Sequence, residues 1–125
     1  MVKLLFIGAG GFFGSILRYL VSVLILELFP RPFIPLGTLL VNIIGSFLMG
    51  ITNGYINYHS MIPENLKYLL LIGFLGAFTT YSTFSIEALF LFKDNNFIIL
   101  FLYIFIHLLF GIGSAAAGFY LMRFL

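Results

Sequence analysis

The stretch that most constrains this chain reads Gly73-Phe74-Leu75-Gly76-Ala77-Phe78-Thr79-Thr80-Tyr81-Ser82-Thr83-Phe84. It lies midway along an otherwise apolar run from about Leu66 to Phe92, long enough to cross a bilayer as one helix. Two glycines, an alanine and five hydroxyl residues fill the centre of that run. Lipid cannot solvate a loosened backbone, so helix-breaking chemistry at that depth survives only where protein or a wet cavity receives the freed groups. A broken helix also aims N–H groups one way and carbonyls the other, which makes ion sites of both signs. The stretch is therefore expected to be the functional centre of a membrane protein, with the rest of the chain as its housing.

Composition points the same way. Of 125 residues, 62% are hydrophobic and 8% charged, too few charges to keep the surface of so small a soluble domain wet. A single transmembrane domain over residues 1–125 is expected, because nothing polar is long enough to fold separately. A formal net charge of +2 offers no basic stripe for nucleic acid. The chain has no cysteine, which excludes disulfides and thiolate metal sites. Two histidines and four acidic residues leave little for a catalytic metal, and no nucleophile–base pair is visible, so the chain does not read as an enzyme. Lys3 ahead of an apolar run imitates a secretion signal. The run continues to about Phe29 without a small-residue cleavage pattern, and reads as a retained span.

Spans are expected at about 4–28, 36–56, 66–92 and 97–122. The first carries Gly8-Ala9-Gly10-Gly11-Phe12-Phe13-Gly14 and then Arg18. No strand precedes these glycines, and Phe13 stands where the third glycine of a dinucleotide fingerprint belongs. Gly10 and Gly14, four apart, suit close helix contact instead. Arg18, a turn further along that face, either snorkels to the interface or faces a vestibule that attracts anions. Three prolines between Phe29 and Pro35 force a turn. In the second span Thr38, Asn42 and Ser46 fall four apart and form one stripe, either bonding a neighbouring helix or walling a polar pore. Gly37, Gly45, Gly50 and Gly54 supply small surfaces around the same helix. Asn57 to Asn65 is a polar connection in which His59 reads as a solvated loop residue, and Pro63 and Glu64 open the third helix. Glu87 falls about a turn from the end of that span, within reach of the interface. On the last span Tyr103, His107, Gly111 and Ser114 share one side, while Gly111, Gly113, Gly118 and the alanines at 115–117 suggest a close-packing surface. His107 is either a proton relay or a neutral hydrogen-bonding member of its stripe.

Short connections leave both termini on one side. Lys3, Lys67 and Arg123 flank the spans there, against Arg31 and Lys93 opposite, which is too even to fix an orientation. Balanced flanks permit insertion both ways, and hence an antiparallel homodimer. A solid four-helix monomer holds no pore, so a second chain is needed. Two copies of the break would then meet near mid-depth about a two-fold axis, and their carbonyls could hold one monovalent cation.

Three stretches together resemble the Fluc (CrcB) family of fluoride channels over almost the full chain. They are Gly8-x-Gly10-Gly11-x-x-Gly14-x-x-x-Arg18-Tyr19, Gly37-Thr38-Leu39-x-Val41-Asn42-x-x-Gly45-Ser46-Phe47-x-x-Gly50, and Gly73-Phe74-x-Gly76-x-x-Thr79-Thr80-Tyr81-Ser82-Thr83-Phe84. The resemblance implies an all-α membrane protein with its third helix broken, an antiparallel dual-topology homodimer, two anion pores, and a central sodium ion that is not transported. It assigns the sodium to the backbone carbonyls of Gly76 and Thr79 from both chains. It makes Asn42 the pore amide, Arg18 the vestibule cation, and Tyr81 and Phe84 the pore-facing aromatic pair. The sequence departs from the family where Tyr81 carries a hydroxyl and where Ala77 replaces a common glycine. The usual fourth-helix hydroxyls are reduced to Ser114, with His107 and Gly111 at neighbouring turns.

The chemistry suits such a pore. Fluoride holds its water strongly, so donors must replace that shell along the route. Asn42 brings two N–H groups, Thr38, Ser46, Thr80, Thr83 and Ser114 bring hydroxyls, and Tyr103 adds a phenol. Aromatic rings are electropositive at their edges, so Tyr81 and Phe84 can face an anion edge-on. Neutral donors avoid a deep electrostatic trap. The expected function is passive, fluoride-selective conduction that exports the ion and lowers its cytoplasmic level, from a multi-pass position in the plasma or inner membrane. The runner-up is a small proton-coupled multidrug or guanidinium-type exporter that shares the antiparallel dimer. It needs a carboxylate deep in the membrane, whereas Glu27 and Glu87 fall near span ends. A third reading is an accessory subunit packed against a larger complex, which leaves the stripe beside the break unexplained.

Overall fold

Apolar side chains alone do not decide what crosses a bilayer; the backbone must also satisfy itself, and a continuous helix does both. The computed structural model describes residues 1–30, 32–59 and 62–125, and every span among them is helical. Four segments are long and apolar enough to cross a membrane: Val2–Leu28, Leu36–Tyr58, Glu64–Lys93 and Phe97–Leu121. The first two are α1 and α2. The third is divided into α3, residues 64–78, and α4, Tyr81–Lys93, and the last is α5, Phe97–Leu121. Arg31, one of the basic residues weighed for orientation, lies outside the described residues.

The connections follow their turn chemistry. Pro30, Pro32 and Pro35 fall between α1 and α2, where no helix could continue. Asn95 takes a left-handed conformation with φ of 57° between α4 and α5, which asparagine tolerates better than most residues. Pro63 is the residue just ahead of α3, rather than within its first turn. Glu64 receives hydrogen bonds from Lys3, at 2.9 Å, and from Tyr68, tying the start of α1 to the start of α3. His59 is not simply a solvated loop residue: its Nε2 meets the carbonyl of Met122 and so closes the end of α5.

α2 is the central helix, burying Thr38, Leu39, Val41, Gly45, Gly50 and Gly54. It packs along α5, while α1 packs along α3. Both seams are made by glycine where backbones touch. A Cβ at Gly10 or Gly14 would run into the backbone of Leu69 and Phe74; one at Gly50 or Gly118 would meet that of Ala115 or Phe47. The close-contact expectation for Gly10 and Gly14 holds. On α5 it holds at Ala115 and Gly118 but not at Gly111 or Gly113, where a Cβ would meet nothing within 4 Å. The stretch of α3 against α1, Tyr68–Leu75, is wound as a wider π-helix.

Candidate functional site

The third span breaks at Thr79 and Thr80, which take extended conformations with ψ of 157° and 115°. Two neighbours make this stable in an apolar setting. Asn42 on α2 pairs with the Thr80 peptide on both sides: its Nδ2 donates to the Thr80 carbonyl at 3.0 Å, and its Oδ1 accepts from the Thr80 N–H at 2.8 Å. That pairing fixes which end of the amide is oxygen. The Thr80 side chain then caps α4, accepting from the Thr83 N–H at 3.2 Å, and its hydroxyl reaches Thr83 Oγ1 at 3.0 Å. One of the two Asn42 N–H groups is therefore committed to the break, leaving one for a ligand.

The same bonds release two carbonyls. The Thr80 N–H, which a continuous helix would direct to Gly76, goes to Asn42. The Thr83 N–H, which would go to Thr79, goes to the Thr80 hydroxyl. The carbonyls of Gly76 and Thr79 thus lack their helical donors, and hard, neutral oxygens of this kind suit a monovalent cation. Two such oxygens fill only part of the coordination shell of an ion of this kind. No group of three or more His, Cys, Asp or Glu side chains gathers among the described residues. Arg18 Nη1 donates to the Thr79 carbonyl at 3.5 Å, which brings a fixed positive charge to the break itself.

A cavity of about 360 Å³ opens beside the break, bordered by Asn42, Ser46, Thr80, Tyr81, Phe84 and His107 among others. Tyr81 and Phe84, one turn apart at the start of α4, stand with ring centroids 5.7 Å apart. Tyr81 is 80% exposed. Phe84 instead packs on Tyr103 and His107 of α5. The α5 wall is the part that departs most from expectation. His107 and Gly111 border the cavity, but Ser114 does not, and its hydroxyl donates to the Gly111 carbonyl of its own helix.

A second polar cluster lies one to two turns beyond the break. Glu87 accepts hydrogen bonds from Thr38, at 2.8 Å, and from Tyr103, at 2.5 Å, with both donors buried. Thr38, Thr83 and Glu87 also border a smaller cavity of about 260 Å³ facing the turn between α1 and α2. Thr38 and Tyr103 therefore meet each other through a residue that sequence reasoning left aside. Glu87 keeps its place in the later part of the span, six residues before Lys93, and its carboxylate is bonded between α2 and α5, about 9 Å along α4 from Tyr81. A usable signal was present: Glu87 follows Thr80 and Thr83 at helical spacing and so extends the hydroxyl row.

Residues 5–119 match a family profile described as "CrcB-like protein, Camphor Resistance (CrcB)". Among similar proteins, one from Shewanella denitrificans is 48% identical over 95 residues, covering 76% of this chain and 75% of its own. Another, from Azobacteroides pseudotrichonymphae, is 38% identical over 122 residues, covering 98% and 97%. A third, from Shewanella woodyi, is 45% identical over 108 residues, covering 86% of each. All three bear the name "Fluoride-specific ion channel FluC".

Proposed function

This chain belongs to the CrcB-like family of multi-pass membrane proteins, and on that premise we propose that it is a fluoride channel of the cell membrane. Fluoride passes along donors rather than being carried by a coupled transporter, and the membrane potential drives it outward, lowering its cytoplasmic level. The observation that carries this reading is the break clamped by Asn42 and opening on a cavity bordered by Tyr81 and Phe84. In it, the second Asn42 N–H, the hydroxyl of Ser46, and the edges of two rings offer what a small hydrated anion must regain when it sheds water. No lysine or arginine borders that cavity among the described residues, so entry is not bought with a trap.

The functional unit is an antiparallel homodimer. Tyr81, largely exposed on one chain, would there face the second chain rather than lipid. The freed carbonyls of Gly76 and Thr79 from both chains would hold a structural sodium ion at the two-fold axis. Bound there, it would neutralise four carbonyl dipoles and lock the breaks against each other, without moving. Arg18 beside Thr79 shares that carbonyl and lends the break further positive potential.

The decisive experiment is efflux from liposomes carrying the purified protein, with fluoride and chloride followed separately. Fast fluoride efflux with little chloride is expected. Comparable chloride flux would remove the selectivity. Glu87 gives the exporter reading its one foothold, a carboxylate between helices, although two hydroxyls already hold it. Cation exchange that requires a proton gradient would promote that reading.

A further inference from the structure

We propose that His107 is an anion-binding residue that acts as an imidazolium, taking up a proton when fluoride enters the cavity. This rests on the channel reading and adds to it the α5 wall, where the expected hydroxyl is turned away. The ring's Nδ1 lies 3.1 Å from the Tyr103 carbonyl. A carbonyl only accepts, so Nδ1 carries a hydrogen, and in the neutral ring Nε2 is a bare lone pair. Nε2 is buried and has no hydrogen-bond partner among the described residues. An acceptor left alone in an apolar interior is costly, and native structures rarely keep one without use.

A lone pair repels an anion; the same atom with a proton is a charged donor. The imidazole is packed by Phe84, with ring centroids 4.6 Å apart, and by Tyr103 at 4.4 Å. An imidazolium alone between those rings would be an uncompensated buried charge. Fluoride in the cavity supplies the compensation. Each partner is unfavourable alone and favourable with the other, so proton and anion bind together. The proton comes from the aqueous side and returns there as the anion leaves, which frees the ion in a way that a fixed arginine cannot. Phe84 borders both the cavity and the imidazole, and a turn of its ring is the movement that admits the anion to Nε2.

Few other groups compete for this proton. From α4, Tyr81 borders the cavity, and Glu87 lies beyond Tyr103, with its carboxylate held by the hydroxyls of Thr38 and Tyr103. From α2 the cavity meets Asn42, Ser46 and Met49, none of which titrates. From α1, Arg18 reaches the Thr79 carbonyl rather than the imidazole.

The test is fluoride efflux from liposomes between about pH 7.5 and 5.5, with the hydrofluoric acid leak of protein-free vesicles subtracted. Wild-type flux should rise several-fold over that range, as the imidazole takes up its proton together with the anion. His107→Gln, which offers an amide donor at every pH, should conduct with a flat profile. A flat wild-type profile, or a His107→Gln profile as steep as the wild type, would overturn the proposal while leaving the channel reading intact. Absence of any fluoride flux in the wild type would sink both. Should His107→Gln fail to fold, nitrogen-15 resonances of the two histidines in wild-type protein decide the matter. Fluoride, but not chloride, should move the His107 ring toward its imidazolium pattern; no movement would end the proposal.

Discussion

The two halves of the third span are held by opposite means. α3 lies backbone against backbone on α1, through Gly10, Gly14 and Gly73, with no side chain between them at those points. α4 buries no residue fully and is fastened at polar points instead: the Thr80 cap, the Asn42 pairing and the Glu87 carboxylate. The first arrangement makes a scaffold, since touching backbones have no rotamer to change. The second leaves Tyr81 at the start of α4 exposed, where it can meet an ion or another chain. A break between two such halves gives a rigid edge on one side and an adjustable one on the other.

The largest effect should come from attacking the scaffold. Gly14→Leu places a side chain where the Phe74 carbonyl already stands, and neither backbone can retreat without parting α1 from α3. Overpacking of this kind costs about 1–3 kcal/mol where side chains can yield, and more where they cannot. The expected result is loss of the folded species in detergent, read as the monodisperse fraction on size exclusion. Gly8→Leu is the control, because a Cβ there meets nothing within 4 Å. Equal tolerance of both would break the distinction between the two halves.

Next in size is the clamp across the break. Asn42→Ala leaves the Thr80 N–H unpartnered and takes one donor from the Thr80 carbonyl, which keeps its helical partner as the cap of α4, at a residue only 7% exposed. The orphaned group costs about 1–3 kcal/mol, so a lowered unfolding temperature is expected. Fluoride efflux should fall about tenfold or more, the rate equivalent of one lost hydrogen bond to a charged ion. Asn42→Asp sharpens the point: it keeps the acceptor for the Thr80 N–H but loses the donor to the carbonyl and adds negative charge. Normal flux in Asn42→Ala would remove α2 from the pore wall.

Much of this was legible in the sequence, and the failures have a common cause. The four spans, the turn at the prolines and the break near Thr79 follow from hydropathy and helix-breaking residues, which act locally. The Thr38–Asn42–Ser46 stripe was visible as a face, yet its partners were not, because pairing depends on how neighbouring helices rotate. Thus Asn42 showed two free donors in sequence and has one in the structure. Ser114 reads as a pore hydroxyl by position on its helix, but in an apolar setting it satisfies itself on its own backbone. For Glu87 the distance along the helix gives a place toward the end of the span, but not the two hydroxyls from neighbouring helices that hold its carboxylate.

A smaller change should follow at the second fastening. Glu87→Gln replaces one carboxylate oxygen by an NH2 that cannot accept from Thr38 or Tyr103. About 1–3 kcal/mol of stability should be lost, and Tyr103→Phe in the same background should cost less than it does alone. Additive losses would mean that the two hydroxyls are not served by one carboxylate, and that α4 is held at the break only.

The least effect on stability should come from Tyr81→Phe, and the reason lies in the adjustable half itself. Among the described residues the Tyr81 hydroxyl makes no hydrogen bond, and the residue is 80% exposed, so folding of one protomer gains little from the oxygen. The unfolding temperature should stay within the range of ordinary surface substitutions, about 0.5 kcal/mol either way. Flux separates the roles of ring and hydroxyl. If the anion meets the ring edge, Tyr81→Phe keeps most of the fluoride efflux and Tyr81→Ala loses it, since only the second removes the electropositive C–H rim. If Tyr81→Phe fails as badly as Tyr81→Ala, the hydroxyl is the contact. The exposed end of α4 would then act through one directed hydrogen bond, and it would be as exacting in geometry as the glycine seam it stands beside.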